Sequence, residues 1–212
     1  MKKICISFTV IVVLLALVLP AHAAYTNIYL SGFQDIDWQN KLTGEIYYDM
    51  GGTHSYSYCV DPSTDMPVPA SYYVEKFSIA GNLPLLQVAW LMDSYAYSKS
   101  GAFTGFTAVQ TGTIVQLAIY DAIGKPVAVV PGYESLFAKK DEIEASMPLT
   151  LSDLAYLSAK YARLDIYNNS DKTTAFQDLL TPVPIPAGVW LLGSGLIGLV
   201  CLRKRQGPAK TT

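Results

Sequence analysis

The chain has 212 residues, 51% of them hydrophobic, and a formal net charge of −2. Six of its 15 Lys and Arg sit at the two ends, whereas all 17 Asp and Glu fall between Asp35 and Asp178, so the middle sets nine bases against 17 acids, a net −8. That sign excludes a surface built to neutralise nucleic-acid phosphates, and 15 Tyr in a dense apolar pattern exclude disorder.

In chain order, Met1-Lys2-Lys3 is a short cationic region ahead of the apolar run Ile4–Leu19. Pro20-Ala21-His22-Ala23 then gives the small-x-small pattern of a signal peptidase site, with cleavage expected between Ala23 and Ala24. Residues 1–23 read as a signal peptide, so the chain is expected to be exported. Residues 24–181 are long enough for one domain with its own core.

Within that domain Leu42–Met50 and Ser55–Val60 alternate as strands joined across Gly51-Gly52, the second ending at Asp61-Pro62. Ser71–Ile79 reads as another strand. The period then changes. Pro84–Tyr97 has helical content with Pro84 in the first turn, and Thr107–Ile123 reads as a second helix stopped by Gly124-Lys125-Pro126. Glu134–Ala145 and Leu151–Ala162 read as further helices, with Val127–Val130 and Arg163–Tyr167 as short strands. The expected fold class is α+β: N-terminal antiparallel strands followed by a helical subdomain, forming a single extracellular domain.

The segment 182–212 closes the chain. A helix over Ala187–Leu202 would span about 24 Å at ~1.5 Å per residue, somewhat under the ~30 Å hydrocarbon core. Arg203-Lys204-Arg205 would hold its end on the cytoplasmic side. The string Val183-Pro184-Ile185-Pro186-Ala187 with its apolar run and basic end resembles the VPxPA variant of PEP-CTERM sorting signals. That resemblance covers about the last 30 residues. It implies processing by an exosortase near Pro184–Ala187 in a Gram-negative bacterium that makes extracellular polysaccharide. The helix would then be a transient inner-membrane anchor, and the product would reach the cell surface or matrix.

Cys5 lies in the signal run and Cys201 in the tail, which leaves Cys59 as the one thiol of the mature domain and excludes an internal disulfide. A leftover Cys in an exported protein is a reactive group, an intermolecular partner or a small buried hydrophobe. Gln116 presents a matching oddity. At 3.6 residues per turn it shares a face with Val109, Gly112, Ile119, Tyr120 and Ile123, whereas Gln110 lies on another side. An amide on an apolar face either bonds to backbone or has a special role.

The order Tyr58-Cys59-Val60-Asp61, then Ala89-Trp90-Leu91-Met92, then Gln116-Leu117-Ala118-Ile119-Tyr120-Asp121 resembles bacterial surface thioester domains, especially those carried by PEP-CTERM proteins. The resemblance spans roughly Leu42 to Gly124. It implies that Cys59 and Gln116 are joined side chain to side chain, with Tyr58, Trp90 and Tyr120 as pocket walls. Tyr120-Asp121 stands where that family has Trp-Glu, a departure that keeps an aromatic and an acid. The implied function is covalent attachment to an amine- or hydroxyl-bearing target on a surface or matrix component, a polysaccharide included. Such single-use acyl transfer is not enzymatic turnover.

Other chemistries are weaker. A Cys/His hydrolase would draw on His54, but five positions along one strand put it on the face opposite Cys59. No metal site is expected: Asp35, Asp37, Asp61 and Asp65 lack EF-hand spacing, and one His with one Cys is too few soft ligands. Asp141-Glu142-Ile143-Glu144 reads as a solvated helix segment, and no glycine-rich nucleotide motif or other cofactor signature is present. The remaining alternative is a non-covalent matrix protein, structural or polysaccharide-binding through its tyrosines, with an inert Cys59.

Overall fold

Six antiparallel strands close into a barrel in the order β1-β2-β3-β6-β5-β4. They are β1 (Thr26–Asp37), β2 (Leu42–Met50), β3 (Thr53–Cys59), β4 (Ala70–Ser78), β5 (Tyr161–Tyr167) and β6 (Leu179–Pro182). Between β4 and β5 come the helices α1 (Leu83–Tyr95), α2 (Tyr97–Ser100), α3 (Ala108–Ala122), α4 (Glu134–Glu144) and α5 (Leu151–Leu154), then a 3-10 turn at Ala155–Ala159. This computed structural model describes residues 26–37, 42–50, 52–62, 70–168 and 170–183. The expected signal peptide, Ala23 and Ala24 at its cleavage site, and Pro184, Ile185, Pro186, Ala187, Arg203, Lys204 and Arg205 of the sorting tail lie outside the described residues. Among the described residues no helix is long and apolar enough to cross a membrane.

Strand alternation divides the buried residues into two sets. Ile28, Leu30, Ile46, Tyr48, Tyr72, Val74, Leu164, Ile166 and Leu179 form the cluster inside the barrel, joined by Cys59 from β3 and Tyr120 from α3. Tyr58, Tyr161 and Leu180 face the other way, into a second cluster with Leu86, Val88, Leu91, Ile114, Leu117 and Leu157 under the helices. Burying each such side chain contributes about 1.5–3 kcal/mol before the entropy of ordering it is charged against the gain.

The mixed α and β content follows the sequence, but its layout differs in four places. β1 is a full strand because its backbone pairs with both β2 and β4. Register shifts at Leu30/Gly32, Phe33/Asp35 and Asp35/Asp37 destroy the strict alternation that would announce it. Val127–Val130 forms no strand: Pro126 and Pro131 flank it, and it runs without regular structure. The helix expected over Leu151–Ala162 ends at Leu154, and Tyr161 already belongs to β5, where it pairs with Pro182. β5 covers the expected Arg163–Tyr167 strand, but β6 is not among the expected strands, and together they close the barrel after the helices, so the strands are not confined to the N-terminal half.

The helix α3 owes its boundaries to local chemistry. Thr107 and Gln110 form a capping box: Thr107 Oγ1 accepts from the Gln110 N–H at 3.2 Å, and Gln110 Oε1 accepts from the Thr107 N–H at 2.9 Å. At the other end Gly124 takes a φ of 75°. The Gly124 N–H reaches the Asp121 carbonyl at 2.9 Å, and the Lys125 N–H reaches the Tyr120 carbonyl at 2.8 Å, a Schellman closure.

Candidate functional site

Cys59 is the last residue of β3 and pairs with Leu179 of β6 on one side. On its other side the β2–β3 ladder runs from Met50–Thr53 to Ile46–Ser57 and stops. Two more residues in this register would set Gly44 opposite Cys59. Helix α3 takes that place instead. Its backbone at Gly112 and Thr113 lies directly against Gly44, and one turn further along Gln116 turns its carboxamide onto Cys59. The Cys59 N–H donates to Gln116 Oε1 at 3.0 Å, and Gln116 Nε2 donates to the Cys59 carbonyl at 2.9 Å. The side-chain amide therefore replaces the peptide group that β2 would have offered. Only this orientation of the amide matches a donor with an acceptor at both atoms.

Both residues are sealed from solvent, Cys59 at 1% exposure and Gln116 at 0%. Burial without partners would make the amide costly; the paired bonds offset that cost. Tyr120 follows Gln116 by four positions on the same helix face and is also buried. Its hydroxyl interacts with the Cys59 sulfur and with Thr43, and the Asp61 backbone also interacts with the sulfur. The thiol is pushed up to about 12, chiefly by burial, with Tyr120 and the Asp61 N–H pulling down and the carboxylates of Asp61 and Asp178 pushing up. Burial, then the neighbouring Cys59, likewise raises the Tyr120 hydroxyl. At neutral pH the sulfur carries its proton, so any attack by it must hand that proton on. Lys125, just beyond the helix, holds the Asp61 carboxylate at 2.9 Å.

The other sequence-derived pocket residues lie elsewhere. Tyr58 alternates with Cys59 and so faces the helices, where its hydroxyl donates to the buried Glu45 at 3.0 Å. Glu45 also accepts from the Ser98 N–H at 3.2 Å, which ties α2 to β2. Trp90 is half-buried against the helical cluster, edge-on to Tyr95 with ring centroids 5.5 Å apart. Of the three expected walls, Tyr120 alone touches Cys59. His54 is exposed and contacts Asp49. Val183 follows β6, its N–H bonded to the Lys160 carbonyl at 2.7 Å. Asp65 lies outside the described residues, and among the described residues no group of three His, Cys, Asp or Glu is placed to hold a metal ion. Asp121 makes an ion pair with Lys140 of α4.

Sequence reading missed Thr43 and Gly44. Thr43 carries no signal of its own. Gly44 does, since a lone glycine inside a strand marks a bulge or a close backbone approach.

No family model matches the chain, and no curated protein matches it. Two solved structures do. The N-terminal thioester domain of a surface protein from Clostridium perfringens aligns with 76% of this chain and 100% of its own, at 14% identity and a TM-score of 0.48. The N-terminal thioester domain of the fibronectin-binding protein SfbI from Streptococcus pyogenes aligns with 79% of this chain and 97% of its own, at 13% identity and a TM-score of 0.41. At that distance neither decides the chemistry, which rests on the contacts of Cys59 and Gln116.

Proposed function

We propose that this is an exported surface protein whose Cys59 and Gln116 side chains condense into an internal thioester, held for covalent capture of a nucleophile. The observation that carries the reading is the double hydrogen bond between the Gln116 carboxamide and the Cys59 backbone in a sealed site. In the bond-forming step the Cys59 sulfur attacks Gln116 Cδ, the thiol proton passes to Nε2, and ammonia leaves. The charge that develops in between falls on Gln116 Oε1, where the Cys59 N–H already donates, so one preorganised donor awaits the oxyanion. Tyr120 also acts on the sulfur. Exclusion of water protects the resulting acyl group from hydrolysis.

An outside amine or hydroxyl then takes the acyl group from sulfur, leaving an amide or ester on residue 116 and a free Cys59 thiol. The target is a surface or matrix component, a polysaccharide included. The chain is used once and does not turn over. Export by signal peptidase and sorting of the tail by an exosortase, with its helix held briefly in the inner membrane of a Gram-negative cell, complete the reading. The second reading, a non-covalent matrix protein with an inert cysteine, draws on the complete burial of the same thiol. Methylamine separates the two. Covalent capture predicts one methylamide at residue 116 and a Cys59 newly open to alkylation. An unmodified residue 116 after prolonged exposure, in a protein whose Cys59 alkylates fully on unfolding, contradicts the capture mechanism.

A further inference from the structure

A Cβ built on Gly44 would lie 2.8 Å from the Gly112 carbonyl carbon, 3.0 Å from the Thr113 nitrogen and 3.2 Å from the Gly112 Cα. All three atoms are backbone, which has no rotamer to swing aside. β2 and α3 thus meet main chain on main chain at Gly44. The contact sits where the strand register would place the partner of Cys59, and one helical turn from Gln116. The depth to which α3 sinks between β2 and β3 therefore sets where the Gln116 amide arrives.

We propose that Gly44 is the positioning residue for the Cys59–Gln116 reaction: its missing side chain lets α3 seat deeply enough for the carboxamide to take over the backbone of Cys59. The inference rests on the thioester reading of that pair. Alanine at 44 drives α3 outward by several tenths of an ångström or more, because a contact under 3.0 Å is not sustained. Both hydrogen bonds to Cys59 lengthen together, since one rigid helix carries Gln116 and Tyr120. The sulfur then loses its amide and its hydroxyl partner at once. A general loss of stability would act differently, leaving the pair intact in every molecule that remains folded.

The test compares the purified wild type with Gly44→Ala and with Leu157→Ala, a buried residue on the 3-10 turn that packs against α1 and β5. Intact mass reads the ammonia loss, and melting temperature reads stability. G44A is expected to be folded but to carry the full mass in most molecules, whereas L157A keeps the ammonia deficit despite an equal or larger fall in melting temperature. A G44A protein with the wild-type deficit overturns the proposal. Should the wild type itself show no deficit, the thioester reading has failed, and native alkylation of Cys59 decides the positioning role separately. A rate at least about tenfold higher in G44A than in L157A supports it, and equal rates overturn it. If G44A does not fold, Gln116→Asn probes the same spacing from the helix side by drawing the amide back by about 1.5 Å. A full mass in folded Q116N supports a fixed seat for the helix; an ammonia deficit in Q116N overturns it.

Discussion

Cys59 combines two features that ordinarily oppose each other: a thiol that burial pushes up to about 12, and two donors, the Tyr120 hydroxyl and the Asp61 N–H, aimed at its sulfur. Of the two, Tyr120 is the one that mutation can remove. Tyr120→Phe keeps the ring in the barrel cluster and deletes one hydrogen bond to sulfur. That bond is worth about 1–1.5 kcal/mol, so thioester formation after refolding is expected to slow by roughly tenfold. A time course of ammonia loss measures it, and an unchanged rate removes Tyr120 from the reaction.

The helix α3 is the element on which the site depends, because it delivers Gln116, Tyr120 and the Gly112 contact from one rigid face. Its capping box fixes where that face begins. Thr107→Ala removes the cap and leaves the Gln110 N–H unpaired, at a cost of about 1 kcal/mol. The melting temperature falls accordingly while the ammonia deficit persists in the folded fraction; loss of the bond there would mean that the helix end, and not Gly44, sets the spacing. Much of α3 was legible beforehand. Its start at Thr107, its stop at Gly124 and the apolar face around Gln116 all follow from residue types at helical spacing. The barrel was not, because β1 hides behind bulges and β6 is four residues long and ends in Pro182. Closure depends on pairings between distant segments that no local pattern encodes. Tyr58 and Trp90 lie in the helical cluster and not beside Cys59 for a related reason: nearness in sequence to a site residue says nothing about which face of a strand, or which layer, a side chain enters.

At the scale of the whole molecule, part of the excess of acid lies beside the end of β3, where Asp61 and Asp178 act on Cys59. Asp178 precedes β6 and is pushed up from 3.8 to about 6 by burial and by Asp165, against the pull of Arg163. A carboxyl raised by folding binds its proton more tightly in the folded state. Its contribution to stability is therefore present below 3.8 and is lost as pH rises through about 6. Asp93, lowered by Lys99 and Lys160 against its burial, works in the opposite sense and is common to wild type and variant. Asp178→Asn should accordingly gain melting temperature relative to wild type as pH rises through that window, and a constant difference would remove Asp178 from the pH response. Intact mass tests most directly for a covalent bond between Cys59 of β3 and Gln116 of α3. Purified wild type is expected to weigh one ammonia less than its sequence requires, with the deficit absent from Cys59→Ala and from Gln116→Ala. A wild-type protein at full mass, with Cys59 recovered as a free thiol after unfolding, would contradict it.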